Sequence, residues 1–227
     1  MLQNAEPLAP RSWLDGMLAW FSRDNDDICA RTRALLDSLV CAPARHARMI
    51  NTLSLLEHMG SHKIMATQHS ADIDQATLKH VAEEAHHAYF MKRQAEKTAQ
   101  RPLEYVADDL LAPAAARMYF QRLESAIVRA LGPQHGARAV YLYMSMIVEF
   151  RALWFYERYQ QALRRARHAL SLKRVLGEER AHLNDMAQRL EAIGARAGAH
   201  TPELLVVEKL LFVRLLGAFE RAAPSIN

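Results

Sequence analysis

The sequence predicts an all-α protein, a four-helix bundle with one crossover connection and additional peripheral helices. Three observations carry this. Apolar residues make up 51% of the 227-residue chain and recur at helical spacing through most of it. Glycine and proline number only eight each, which suits a mostly helical fold. One arrangement of acidic and histidine residues also occurs twice: a lone glutamate, then Glu-Glu-x-x-His.

A chain of this length can bury a full core, and the simplest organisation is one domain over 1–227. The net charge of +4 is modest, and acids and bases are interleaved, so an acidic partner is permitted without being demanded. Cys29 and Cys41 are the only cysteines, which argues against a disulfide framework or a thiolate metal cage and fits a reducing cytoplasm. The first residues show no basic region followed by an apolar run, so no signal peptide is expected. No window approaches the roughly 18 uninterrupted apolar residues of a membrane span.

Residues 1–10 hold two prolines and no periodicity, and read as a loose arm. Over about 11–39, Trp13, Leu14, Met17, Leu18, Phe21, Ile28, Leu35 and Leu39 fall at helical spacing. The polar patch at 22–27 divides them into two helices. Asp24, Asp26 and Asp27 lack the glycine and closing glutamate of a calcium loop and read as a solvated turn. Pro43 opens the next helix. On it Ile50, Leu53, Glu57 and Ile64 share a face, so Glu57 stands where an apolar residue is expected.

A helix from about 73 to 99 follows a turn at Ser70-Ala71-Asp72, with the aspartate as cap. Its clearest apolar stripe is Leu78, Val81, Ala82, Ala85 and Tyr89. That phase places Glu83 and His86 nearer the buried face than Glu84 and His87. Position within the repeat favours Glu84 and His87, and the choice stays open with that preference. Pro102, Pro113 and Gly132-Pro133 punctuate the middle of the chain around a helix at 114–131, long enough to serve as a crossover.

From 137 to about 165 runs the most apolar helix, with Leu142, Met146, Glu149, Leu153 and Tyr156 in one line. Glu157, close to that line, is a candidate extra ligand or support. Tyr143 and Tyr156 read as core, with redox work open to either if it lies near a metal. The basic run Arg164 to Arg174 reads as a solvated hairpin end with a turn near 169–171, capped by Ser171. On the helix at 172–193, Leu172, Leu176, Glu179, Leu183, Met186 and Leu190 form a stripe centred on Glu179. A last amphipathic helix spans 201–221, led by Thr201-Pro202.

The ligand pattern is Glu57, Glu84-x-x-His87, Glu149 and Glu179-x-x-His182. Glu57 precedes Glu84 by 27 residues and Glu149 precedes Glu179 by 30. Residues three apart share a helix face, so each Glu-x-x-His pair can hold one ion. With 15 glutamates and 11 histidines, chance supplies about 0.7 Glu-x-x-His matches, so one match means little. Two, each inside Glu-Glu-x-x-His and each trailing a face-centred glutamate, mean far more. Four carboxylates meeting in a dry core repel one another, and two divalent cations would cancel their charge. Mixed carboxylate and imidazole ligands suit iron, with manganese or a mixed Fe/Mn pair as the other options.

On these residues, over about 43–195, the chain resembles the ferritin-like di-iron carboxylate superfamily. The resemblance implies that Glu84 and Glu179 bridge or chelate the ions, that Glu57 and Glu149 are terminal ligands, and that each histidine caps one ion. It implies two iron ions, and dioxygen, a small-molecule substrate and an external electron donor as partners. An oxygen-activating oxidase or oxygenase is the expected function; a ferroxidase that handles iron and a metal-free helical interaction module are the alternatives. The extra helices at 11–39, 114–131 and 201–221 read as walls of a substrate pocket. No membrane partner is expected. Nucleic acid is not expected either, with tRNA left open on mild basicity, and a homodimer is left open.

Overall fold

Eight α-helices and no strand are found among residues 10–66 and 73–223, which the computed structural model describes. Helices α1 (Pro10–Asp24) and α2 (Asp26–Val40) meet at Asn25, inside the predicted polar patch. The Asn25 side chain donates to Phe21 O at 2.8 Å and closes the end of α1. The patch is not simply solvated: Lys209, far along the chain, pairs with Asp27 at 3.0 Å and Asp24 at 3.4 Å.

Helix α3 (Pro43–Ala66) opens on its proline, whose missing N–H costs nothing in a first turn. Helix α4 (Gln75–Ala99) runs antiparallel to it: Lys92 reaches Asn51 at 3.1 Å and Ser54 donates to Ala88 O at 2.6 Å. One turn further along each helix stand Glu57 and Glu84. The arm at 1–9 and the turn at Ser70-Ala71-Asp72 lie outside the described residues. The cap of α4 is Asp74, which accepts the Thr77 N–H at 2.7 Å.

After a single 3-10 turn (Ala107–Asp109), α5 (Pro113–Leu131) leads to α6 (Ala137–Arg165). Helix α7 (Lys173–Ala192) runs antiparallel to α6, with Glu157 near Arg180 at 3.4 Å and Tyr143 donating to Ala195 O, just past α7, at 2.8 Å. The turn between them is closed by the Gln160 side chain, which accepts the Leu172 N–H at 2.6 Å, and not by the predicted cap Ser171. Helix α8 (Thr201–Ala222) packs against α5 and α6.

The core is mostly apolar, with a few buried polar side chains such as His46, Asn51, Arg151 and Glu208 set within it. Leu36, Leu39, Met49, Ile50, Met91, Leu142, Phe150, Leu183 and Leu190 are all completely buried. Each such side chain contributes about 1.5–3 kcal/mol, enough in sum to let the fold carry an expensive polar level in its middle.

Helix α4 corrects the sequence-based phase. Its buried face is Thr77, His80, Glu84, His87, Ala88, Met91 and Ala95. Of the predicted apolar stripe only Val81 packs against the core, and the rest faces outward, with Leu78 47% and Tyr89 57% exposed. The hydrophobic pattern misleads because the polar groups of this helix, not its leucine and tyrosine, are what the core takes in. Among the described residues no helix is long and apolar enough to cross a membrane.

Candidate metal centre

The structure brings all six predicted side chains to one buried level of α3, α4, α6 and α7. Glu57, Glu84, His87, Glu149, Glu179 and His182 are each at most 8% exposed. They fall into two adjoining groups. His80, Glu84, Glu149 and His182 each offer an atom within 4.8 Å of the others, and so do Glu57, His87 and Glu179.

His80 is the residue the sequence analysis missed. Its Nε2 lies 3.3 Å from Glu149 and 3.4 Å from Glu84. His80, Glu84 and His87 are four and three apart, so they stack on one face of α4. The ring is held from behind, where Nδ1 bonds the Tyr141 hydroxyl at 3.0 Å. Arg189 reaches that hydroxyl at 3.4 Å and also grips Thr77 and Asp74, tying α4 to α7.

Glu179 spans the groups, with one oxygen 3.4 Å from His87 Nδ1 and the other 3.3 Å from His182 Nδ1. Glu84 is also central, with Oε1 3.4 Å from both His80 and His182 and 3.9 Å from His87. Glu149 approaches His182 Nδ1 at 3.2 Å. Glu57 accepts a short hydrogen bond from the Tyr156 hydroxyl. Of the two candidate tyrosines, Tyr156 therefore adjoins the centre, whereas Tyr143 donates to the carbonyls of Ala195 and Arg196.

The doubled glutamates have separate tasks. Glu84 is buried within the cluster, but Glu83 lies at its edge and meets His182 Nε2 at 3.0 Å. Glu178 does the same for His87 Nε2 at 2.8 Å. Each string thus supplies one inward carboxylate and one that braces the other string's histidine from outside. Such bracing fixes which ring nitrogen faces inward. His86 is exposed, so Glu83 and His86 do not form the inward pair. Glu157 is also excluded from the cluster: its side chain is 43% exposed and pairs with Arg180.

Burial and the neighbouring Glu84 charge raise the Glu57 carboxyl well above its ordinary range. Burial and Glu149 do the same to Glu179. Burial also opposes ionisation of Glu149, but hydrogen bonds from His182 and His80 outweigh it and hold that carboxyl low. For His182, burial works against the charged ring; Glu149 and Glu179 prevail and push it up to about 12. His80 is raised in the same way by Glu149 and Glu84, against its burial. The cluster therefore collects protons where cations are lacking.

These residues could hold metal, and one direct observation fits that. Glu84 Oε1, His87 Nδ1 and both oxygens of Glu179 are buried with no hydrogen-bond partner. Unpaired buried acceptors are costly and rare, and all four belong to residues of the two groups.

A cavity of about 80 Å³ opens on the centre from the α5 and α8 side. It reaches Glu57, Glu84 and Glu149, and its remaining wall is mostly Leu53, Phe120, Val148, Phe155, Phe212 and Phe219. Gly60 also lines it, beside Glu84. A smaller, more polar space of about 40 Å³ adjoins it at Lys63, Glu124, Tyr141 and Ser145.

No protein-family model, curated protein or solved structure matches this chain.

Proposed function

We propose that the chain is a ferritin-like di-iron protein, with the four bundle helices α3, α4, α6 and α7 joined by α5 as crossover, and that it is an oxygen-activating oxidase or oxygenase acting on a small molecule. The observation that supports this best is the apolar cavity ending on Glu57, Glu84 and Glu149. An iron-handling protein needs a hydrophilic path for ions; a wall of leucine and phenylalanine suits an organic substrate.

Glu57, His87 and Glu179 would hold one ion and His80, Glu84, Glu149 and His182 the other, with Glu179 and Glu84 between them. Iron at these positions would supply reductive activation of dioxygen, with electrons from an external donor. The chain's own residues do the rest. Glu83 and Glu178 keep the histidine rings turned inward, Tyr156 holds one oxygen of Glu57, and the apolar wall keeps bulk water from the centre.

The ferroxidase alternative draws on the smaller space, whose lining adds Glu124, paired with Lys63 at 2.5 Å, and Ser145 to the apolar wall. Iron uptake under oxygen separates the two. The oxygenase takes up two iron ions per chain and stops, whereas a ferroxidase continues to accumulate oxidised iron. An interaction module takes up none.

A further inference from the structure

The cavity has a second polar end, and nothing in the metal centre accounts for it. Arg151 and Tyr119 line the same space as Glu57 and Glu149. On α6, Glu149 and Arg151 are two residues apart, so their side chains leave the helix about 160° from each other. Val148, Ala152 and Phe155 lie between them and form the floor. The cavity therefore has carboxylates on one flank, a guanidinium on the other and an apolar span between.

Arg151 is 5% exposed and Glu208 fully buried. Arg151 Nε and Nη2 donate to the two Glu208 oxygens at 2.9 and 2.7 Å, and Nη2 also donates to Asn25 at 2.8 Å. Tyr119 donates its hydroxyl to Glu208 at 2.7 Å. Rings of Phe21, Trp154 and Phe212 pack around the guanidinium, the nearest 4.0 Å away. One nitrogen, Nη1, is buried without a hydrogen-bond partner.

Charge decides what that nitrogen can receive. Glu208 already neutralises Arg151, so an anionic ligand would bring an uncompensated charge into a dry cavity. A cation would face the guanidinium and fare no better. A neutral acceptor adds no charge and satisfies the free N–H.

We propose that the cavity takes a small, uncharged, largely apolar molecule with one hydrogen-bond acceptor, received by Arg151 Nη1, its apolar remainder lying over Ala152 toward Glu57, Glu84 and Glu149. This rests on the oxygenase proposal for what happens at the far end, but binding itself can be tested separately.

The test uses four five-carbon probes, 2-pentanone, pentane, pentanoate and pentylamine. Binding is followed by ligand-observed NMR on zinc-loaded protein and on metal-free protein. The ketone should bind roughly tenfold more tightly than pentane, as expected for one hydrogen bond to a charged donor, and neither pentylamine on the zinc-loaded protein nor pentanoate on the metal-free protein should bind measurably. Replacing both partners, Arg151→Met with Glu208→Gln, should abolish the ketone preference, leave pentane binding within about twofold and leave metal content unchanged. Ala152→Leu, with Arg151 intact, should remove binding of both neutral probes and serves if the double variant does not fold.

Equal binding of ketone and pentane by the wild type would overturn the proposal, with ring faces then satisfying Nη1. So would tightest binding of pentanoate on the metal-free protein, survival of the ketone preference in the double variant, or undiminished binding in Ala152→Leu. Ketone preference in a protein that takes up no metal would sink the di-iron proposal alone; normal metal content without the preference would sink this one alone.

Discussion

Helix α6 carries two buried charged clusters on opposite sides, and they solve the same physical problem differently. Around Arg151 the opposite charge comes from within the chain: Glu208 pairs in a two-pronged contact at 2.7 and 2.9 Å, and Asn25 and Tyr119 complete most of the remaining bonds. Around Glu149 there are four carboxylates and three imidazoles, and buried oxygens of Glu84 and Glu179 find no partner. The first cluster is neutral as folded. The second becomes so only by taking up protons or cations. What distinguishes a self-neutralised polar cluster from a cation site is thus the missing countercharge, not burial, which both share.

The largest expected effect is on metal. Glu179→Ala removes a side chain that faces both groups with its two oxygens, and bound iron should fall from two ions per chain to less than one by elemental analysis, with helical circular dichroism retained. The same chemical change then breaks the comparison by sign. Glu208→Gln leaves Arg151 buried without its counterion and should cost about 3–5 kcal/mol in urea unfolding. Glu179→Gln in the metal-free protein relieves repulsion and should cost nothing or stabilise.

Acidity sharpens the same contrast. Raised His80 and His182 stabilise the metal-free fold fully below the unfolded histidine value of about 6.5, and that contribution is lost as pH rises toward their folded values. Raised Glu57 and Glu179 act in the same direction, since the penalty for ionising them grows as pH climbs above about 4.3. Metal-free protein should therefore lose stability as pH rises above about 6.5. Metal binding should release protons and tighten about tenfold per pH unit for each proton displaced. Proton release on zinc addition in weak buffer measures this directly.

Smaller effects belong to the surroundings. Glu83→Gln or Glu178→Gln weakens the brace on one histidine and should lower metal affinity by roughly 10- to 100-fold while leaving the stoichiometry at two. Glu157→Ala, on the surface beside Arg180, should change neither metal content nor stability by more than about 0.5 kcal/mol.

How much of this was legible in the sequence depended on what the core takes from each helix. On α6 and α7 the buried residues are mostly apolar, with Glu149 and Glu179 standing among leucines and methionines, so hydrophobic periodicity located both glutamates correctly. On α4 the buried stripe is itself polar, and the same method chose the wrong face. The repeated Glu-Glu-x-x-His string rescued Glu84 and His87, but His80 lies outside the string and had no such help. Its signal was available in another form: Thr77, His80, Glu84, His87 and Met91 fall at three- and four-residue intervals, a helical face written mostly in ligand types. The Arg151–Glu208 pair was not legible, since its partners sit 57 residues apart on helices with no shared spacing.

The central claim is that this buried cluster holds a pair of cations. Anaerobic ferrous titration of the metal-free protein, with elemental analysis after desalting, tests it most directly. The account predicts uptake that saturates at two iron ions per chain. No retained iron, or uptake that rises with added iron and never levels at two, would contradict it.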